Sequence, residues 1–101
     1  MGIATRISDD KKTVTIGVDG RFDFSLHNEF RKAYKDQSLS GGQFVIDLKG
    51  TDYLDSSALG MLLLLKEHAE NNSSKVNIIN INKDIREILN IASFDKLFNL
   101  G

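Results

Sequence analysis

The feature that most constrains this 101-residue chain is a short apolar segment that gives way to an apolar helix within a few residues. Residues 44–48 form a short, mostly apolar run, as expected of a parallel strand covered on both faces. A helix predicted over about 57–71 carries apolar residues at helical spacing. Between the two, Asp55 precedes a pair of serines. The carboxyl end of a strand is where open α/β sheets usually meet ligands or partners, so we expect the functional site at this junction.

The composition excludes several classes of protein. Hydrophobic residues make up 41% and charged residues 27%, as in ordinary globular proteins, and the net charge of −1 gives no basic surface for nucleic acid. Cysteine is absent, which excludes disulfides and thiolate metal sites and fits a reducing compartment. The N-terminus lacks the apolar core of a signal peptide, and the apolar run over 58–65 is too short to span a membrane. We therefore expect a single cytoplasmic domain over residues 1–101.

The pattern along the chain predicts the remaining elements. Strands are expected over residues 3–7 and 13–18, as a hairpin, and over 76–81. Ser25 is predicted to cap a helix that ends near Asp36, followed by a polar loop to residue 42. Asn82 is predicted to cap a further helix, and a last short helix is expected over 94–100. This order predicts an α/β domain whose mixed sheet of four to five strands packs against helices.

The helix after the junction is apolar over most of its circumference. Leucines occupy positions 59 and 62–65, with Ala58 and Met61 beside them. A helix of this kind needs cover on more than one side, from the sheet and from a neighbouring helix or a partner. We expect these leucines to serve the core first and an interface second.

Catalysis is not supported by the residue pattern. The Gly-x-Ser-x-Gly elbow is absent, as is any Gly-rich phosphate loop. His68 lies 12 residues beyond Ser56 on the same helix, about 18 Å away, so it cannot act as the base of that serine. Two isolated histidines without cysteine make a zinc site improbable. We predict no enzymatic activity, no cofactor and no metal site.

On local signals alone, each junction residue also has an ordinary structural interpretation. Serine is common at helix N-caps, so Ser56 on its own predicts a cap or a first-turn residue. Ser57 is expected to bond to the backbone in the first turn. Asp23 is predicted to be a turn residue. Thr51, in a predicted loop, is a weaker candidate for phosphorylation.

Three segments together resemble a known family. Residues 44–60, Phe-Val-Ile-Asp-Leu-Lys-Gly-Thr-Asp-Tyr-Leu-Asp-Ser-Ser-Ala-Leu-Gly, resemble the central signature of STAS domains, specifically bacterial anti-sigma factor antagonists. Residues 18–23 resemble the second strand and turn of that family, and residues 92–98 its C-terminal segment. The resemblance covers nearly the whole chain, and Ala58 stands where glycine is common.

The resemblance implies a function controlled by phosphorylation. The phosphoacceptor would be Ser56, and the partner-binding residues would be Asp23, Asp55, Ser56, Ser57, Leu59 and Gly60. The partner would be an anti-sigma factor with a histidine-kinase-like serine kinase fold, bound by the unphosphorylated monomer. A metal-dependent serine phosphatase would remove the phosphate. The alternative is a STAS adaptor subunit of a membrane lipid-transport or sensory complex that is not phosphorylated.

Overall fold

A mixed five-stranded sheet lies at the centre of this computed structural model, which describes residues 2–35, 37 and 41–101. The strands of the fold are β1 Ile3–Ile7, β2 Thr13–Val18, β3 Gly20–Phe22, β4 Gln43–Asp47, β5 Thr51–Leu54, β6 Lys75–Ile79 and β7 Asn99–Leu100. The sheet has the order β1-β2-β4-β6-β7, with β1 and β2 antiparallel and the other neighbours parallel. The predicted hairpin and mixed sheet are therefore confirmed.

Three α-helices connect the strands: α1 His27–Lys35, α2 Ser56–Asn71 and α3 Lys83–Ile91. The predicted cap of α3 is confirmed, because Oδ1 of Asn82 accepts from the Ile85 N–H at 2.9 Å. The last helix is only a 3₁₀ turn, Phe94–Lys96, after which the chain forms the two-residue strand β7. The predicted helix end at Asp36 and residues 38–40 of the predicted loop lie outside the described residues.

The residues that the structure describes cover one face of the five-stranded sheet. Phe44 and Ile46 of β4 are fully buried, whereas Val45 between them is only half-buried. The prediction that this strand is covered on both faces was therefore wrong. On the open face, polar side chains satisfy one another across strands: Asn77 donates to Gln43, and Gln43 donates to Thr13 at 3.4 Å. An apolar strand can thus alternate in burial when its neighbours supply polar partners.

A second, two-stranded sheet was not expected from the sequence. β3 and β5 pair in parallel, with Phe22 opposite Leu54. The segment assigned to a loop is therefore partly a strand, and Thr51 at its start is buried with Oγ1 donating to the Val18 carbonyl at 2.7 Å. Gly20 enters β3 at a φ of +78°, a conformation that favours glycine. This small sheet carries the ends of β3 and β5 to the same edge.

α2 packs on the sheet and against α1, and leaves the rest of its circumference uncovered. Leu62 and Leu65 are completely buried, while Leu63 and Leu64 are 42% and 51% exposed. The cover expected from a neighbouring helix is supplied by α1, whereas Leu63 and Leu64 are left uncovered by the residues that the structure describes. Among those residues, no helix combines the length and apolar character needed to cross a membrane.

Candidate functional site

Asp55 is the N-cap of α2 and fixes the geometry of the strand-to-helix junction. One carboxylate oxygen, Oδ1, accepts from the N–H groups of Ser57 and Ala58, at 3.0 and 3.2 Å, and from the Ser57 hydroxyl at 2.6 Å. These bonds satisfy donors that a helix start otherwise leaves unpaired. Ser56 is consequently the first helical residue, as its predicted cap or first-turn position allowed. Its side chain is exposed and forms no hydrogen bond within the described part of the chain.

Asp23 caps the neighbouring helical segment in the same way. Its Oδ1 accepts from the Ser25 N–H at 3.0 Å and from the Ser25 hydroxyl at 2.6 Å. The prediction that Ser25 is the N-cap was therefore wrong. The Asp23 carboxylate, two residues earlier, accepts from the Ser25 N–H and is the N-cap. Ser25 therefore lies inside a 3₁₀ helix, Phe24–Leu26, that leads into α1.

The pairing of β3 with β5 brings the two caps together. Because Phe22 lies opposite Leu54, the next residues, Asp23 and Asp55, leave the sheet side by side. The motif Asp-x-Ser thus occurs twice at one edge, and Phe24 takes the place in the first copy that Ser56 takes in the second. The expectation that Asp23 lies near Asp55 is supported by the effect of its charge on the Asp55 pKa.

Both carboxylates are held in their ionised form. The hydrogen bond from the Ser57 hydroxyl lowers the pKa of Asp55, and that from Ser25 lowers the pKa of Asp23. The negative charge of Asp23 opposes this effect at Asp55, but only as a smaller contribution. Ser56 therefore directly follows a charged residue, Asp55, and the neighbouring cap, Asp23, is charged as well at neutral pH.

A cation and two aromatic rings border this pair of caps. Arg21 is 3.4 Å from Oδ2 of Asp23 and its guanidinium stacks 3.9 Å above the Tyr53 ring. Phe24 is 67% exposed and stacks on His27 with ring centroids 5.0 Å apart. Sequence reasoning missed these residues. The available signal was Phe24, which directly follows a capping aspartate. An aromatic residue at that position is not directed into the core.

The other predicted site residues lie on the first two turns of α2. Ser57 has a structural role in the first turn, but its hydroxyl donates to the Asp55 carboxylate and not to the backbone as expected. Leu59 is half-buried and Gly60 is exposed, and a Cβ added at Gly60 would meet no atom within 4 Å. Thr51 is buried and hydrogen-bonded, so its hydroxyl is not presented for modification.

The histidines have structural contacts. Nε2 of His68 donates to the Gln37 carbonyl at 2.9 Å, and its ring packs on Tyr34 and Phe44. Within the described residues, no group of three or more histidine or acidic side chains could hold a metal ion. The absence of catalysis, of a cofactor and of a metal stays a prediction.

Comparison with known proteins points to one family. The family model described as "Mlab, STAS domain" matches residues 5–100. A STAS-domain containing protein of Pseudomonas aeruginosa strain UCBPP-PA14 is 42% identical over 101 residues, which is the whole of both chains.

Solved structures share the fold at low sequence identity. A candidate anti-sigma factor antagonist of Thermotoga maritima has a TM-score of 0.82 at 17% identity, over 97% of this chain and 84% of that one. Unphosphorylated SpoIIAA, an anti-sigma factor antagonist, has a TM-score of 0.74 at 14% identity, over 99% and 87%. Its phosphorylated form, from Bacillus, has a TM-score of 0.71 at 13% identity, over 99% and 91%.

The same fold also occurs in a transporter family. A sulfate transporter family protein of Wolinella succinogenes has a TM-score of 0.77 at 11% identity, over 93% of this chain and 75% of that one. The fold alone therefore does not separate a regulator from a transporter domain. The match to the family model and the full-length relative nevertheless agree on the domain type: the chain belongs to the STAS domain family and has the fold of its anti-sigma factor antagonists.

Proposed function

We propose that this protein is an anti-sigma factor antagonist whose partner binding is switched by phosphorylation of Ser56. In the unphosphorylated form it sequesters an anti-sigma factor that is also a serine kinase, in the cytoplasm and as a monomer. A metal-dependent serine phosphatase restores that form. The observation that carries this proposal is the exposed hydroxyl of Ser56, which has no hydrogen bond to the described residues and directly follows the ionised cap Asp55, with the ionised cap Asp23 on the neighbouring strand end.

The cap geometry explains why a phosphate would change the surface of the domain and leave its fold intact. A helix N-terminus normally offers free N–H groups to an anion. Here Asp55 already accepts from the N–H groups of Ser57 and Ala58. A phosphate on Ser56 would find those donors occupied and would project outward, and it would add about −1.5 to −2 charges at pH 7.

The added charge would meet a partner surface shaped for a neutral hydroxyl. Like charges about 4 Å apart repel by roughly 4 kcal/mol at an effective dielectric constant near 20. That penalty corresponds to a loss of affinity of a hundredfold or more. The charges of Asp23 and Asp55 contribute to the same negative field, so the switch is an electrostatic change at an interface.

A stripe along α2 supplies the apolar part of the proposed docking surface. Ser56, Gly60 and Leu63 follow one another at helical spacing and are all exposed. Leu59 is half-buried at the border of the stripe. Gly60 leaves room for close approach, because nothing in the described chain lies within 4 Å of its missing Cβ. An apolar stripe next to a charge switch fits a regulated protein interface.

Phosphorylation by the kinase encoded beside the gene tests the proposal. Incubation with that kinase and ATP, followed by peptide mass spectrometry, is expected to find one phosphate on Ser56. Ser56→Ala should accept none. Ser57→Ala removes the hydroxyl that donates to Asp55. This variant is the matched control and should still be phosphorylated on Ser56. Full phosphorylation of Ser56→Ala would refute the site.

A second candidate function is a STAS adaptor subunit, not phosphorylated, of a membrane lipid-transport or sensory complex. It is favoured by the fold likeness to a sulfate transporter family protein. An adaptor needs no acceptor serine, so its binding to the complex should be the same for wild type and Ser56→Asp. Co-purification from detergent extracts with both forms would separate the two candidates, because the proposed antagonist loses its kinase partner when Ser56 becomes Asp.

A further inference from the structure

A cleft of about 400 Å³ opens between α1 and α2, away from the Asp-x-Ser pair. Its lining combines apolar side chains, Phe30, Met61 and Leu64, with polar and charged ones. Leu64 lies eight residues beyond Ser56 on α2, about 12 Å along the helix axis. The cleft volume falls within the range of small-molecule sites in proteins. The cleft is therefore separate from the proposed phosphorylation site and large enough for a small ligand.

Tyr34 gives this cleft a fixed polar group. Its side chain is only 6% exposed, and its ring packs between Phe30 and His68 with centroids 5.7 and 5.1 Å away. The residue lines the cleft, and its hydroxyl forms no hydrogen bond with any residue in 2–35, 37 or 41–101. The hydroxyl is open to the cleft, because no fully buried side-chain oxygen or nitrogen in those segments lacks a partner. A buried aromatic ring whose hydroxyl opens to a cleft is a preorganised hydrogen-bond donor.

The charges around Tyr34 favour an anion. Arg31 and Lys35 line the cleft, and neither forms an ion pair within the described segments. Glu67 lines the cleft from α2. Burial raises the pKa of Tyr34, the charge of Arg31 lowers it and that of Glu67 raises it, so both charges act at the hydroxyl. Among the described lining residues, two cations against one anion give a net positive charge.

We propose that this cleft binds a small amphiphilic carboxylate, such as a medium-chain acyl or an aryl carboxylate. The apolar part would lie on Phe30, Met61 and Leu64. The carboxylate would accept a hydrogen bond from the Tyr34 hydroxyl and pair with Arg31, which suits the planar geometry of a carboxylate. The inference uses none of the residues of the proposed switch and does not depend on it.

Titration of the whole protein with decanoate below its micelle concentration tests this site. Calorimetry is expected to give saturable binding of one decanoate per chain, with amide shift changes in a ¹⁵N spectrum confined to α1 and α2. Tyr34→Phe and Arg31→Gln should each weaken binding about tenfold. Glu67→Gln should strengthen it, because a repelling charge is removed. Lys96→Gln, an exposed cation outside the cleft, is the control and should bind as wild type does.

Decanol, a neutral molecule of the same chain length, distinguishes a site that binds the carboxylate from one that binds only the apolar chain. Decanol should bind at least tenfold more weakly than decanoate to the wild type, and equally to wild type and Arg31→Gln. Equal affinity of decanol and decanoate for the wild type would overturn the proposal, as would absence of saturable decanoate binding. Circular dichroism melting of each variant checks that it is folded. Ser56→Ala should bind decanoate normally, so failure here and failure of the switch are distinguishable.

Discussion

Two aspartates at this junction combine a structural and an electrostatic role. Asp55 holds the first turn of α2 through its hydrogen bonds and also places a negative charge next to Ser56. Asp23 repeats the arrangement one strand away. The two roles cannot be separated by deleting the side chain, because the cap is lost together with the charge. They can be separated by asparagine, which caps helices nearly as well as aspartate.

The lowered pKa of Asp55 predicts how stability changes in acid. A carboxylate with a lowered pKa in the folded protein stabilises it above the unfolded value, near 3.9, and loses that contribution as pH falls through the folded value. Asp55→Asn should therefore flatten the decline of the free energy of unfolding below about pH 4, in urea titrations at stepped pH. Asp52→Asn, which removes an exposed carboxylate that caps no helix, is the control. An unchanged acid decline in Asp55→Asn would contradict this account.

Much of the site could be predicted at the scale of single residues. The Asp-Ser-Ser motif before an apolar helix predicts that Ser56 lies at the helix start, because capping is a local interaction. Ser25 was misassigned because serine and aspartate are both good caps, and the choice depends on which oxygen reaches the free N–H. Phe24 was missed because its exposure follows from the backbone path of a short 3₁₀ helix.

At the scale of elements, α2 carries an unfavourable residue on its exposed side. Glycine in a helix interior costs roughly 0.5–1 kcal/mol relative to alanine. Gly60 meets no described atom that would oppose a Cβ. The domain alone therefore gains nothing from this glycine, whereas a partner that approaches the helix backbone would.

Gly60→Ala should accordingly separate stability from binding. The free energy of unfolding is expected to rise by about 0.5–1 kcal/mol, which raises the melting temperature by several degrees. Affinity for the kinase partner should fall, because the new methyl group occupies the docking stripe. Thermal melts and binding titrations on the same preparation measure both. Unchanged affinity would remove Gly60 from the proposed interface.

The elements themselves differ in how far the sequence determines them. β1, β2 and the cap of α3 follow from alternation and from one asparagine, all within a few residues. The β3–β5 sheet depends on pairing between segments about 30 residues apart, and its strands have three and four residues. Strands this short show no clear alternation, so their pairing is set by the tertiary fold. The position of Asp23 beside Asp55 depends on that pairing.

At the scale of the whole molecule, α2 divides its leucines between a core and a surface. Leu62 is completely buried, while Leu63, the next residue, is 42% exposed. The sequence alone predicted cover around the helix because all of these residues are apolar. Which side packs on the sheet is decided by the angle at which the helix leaves the junction, and no local signal contains that angle.

A matched pair of alanine substitutions tests this division. Leu62→Ala should lower the free energy of unfolding by about 2–5 kcal/mol, because it leaves a cavity in the core. Leu63→Ala should change it by less than about 0.5 kcal/mol. Chemical denaturation of both variants gives the comparison. Similar losses in the two variants would mean that the exposed stripe is covered by something other than solvent.

The central claim is that a charge gained at Ser56 changes which partner can dock and leaves the fold unchanged. Its most direct measurement is the affinity of the purified kinase partner for the unphosphorylated and the Ser56-phosphorylated protein, with a melting curve for each. We predict a loss of affinity of a hundredfold or more with melting temperatures within a few degrees. Equal affinities, or a loss of affinity that accompanies unfolding of the phosphorylated form, would contradict the account.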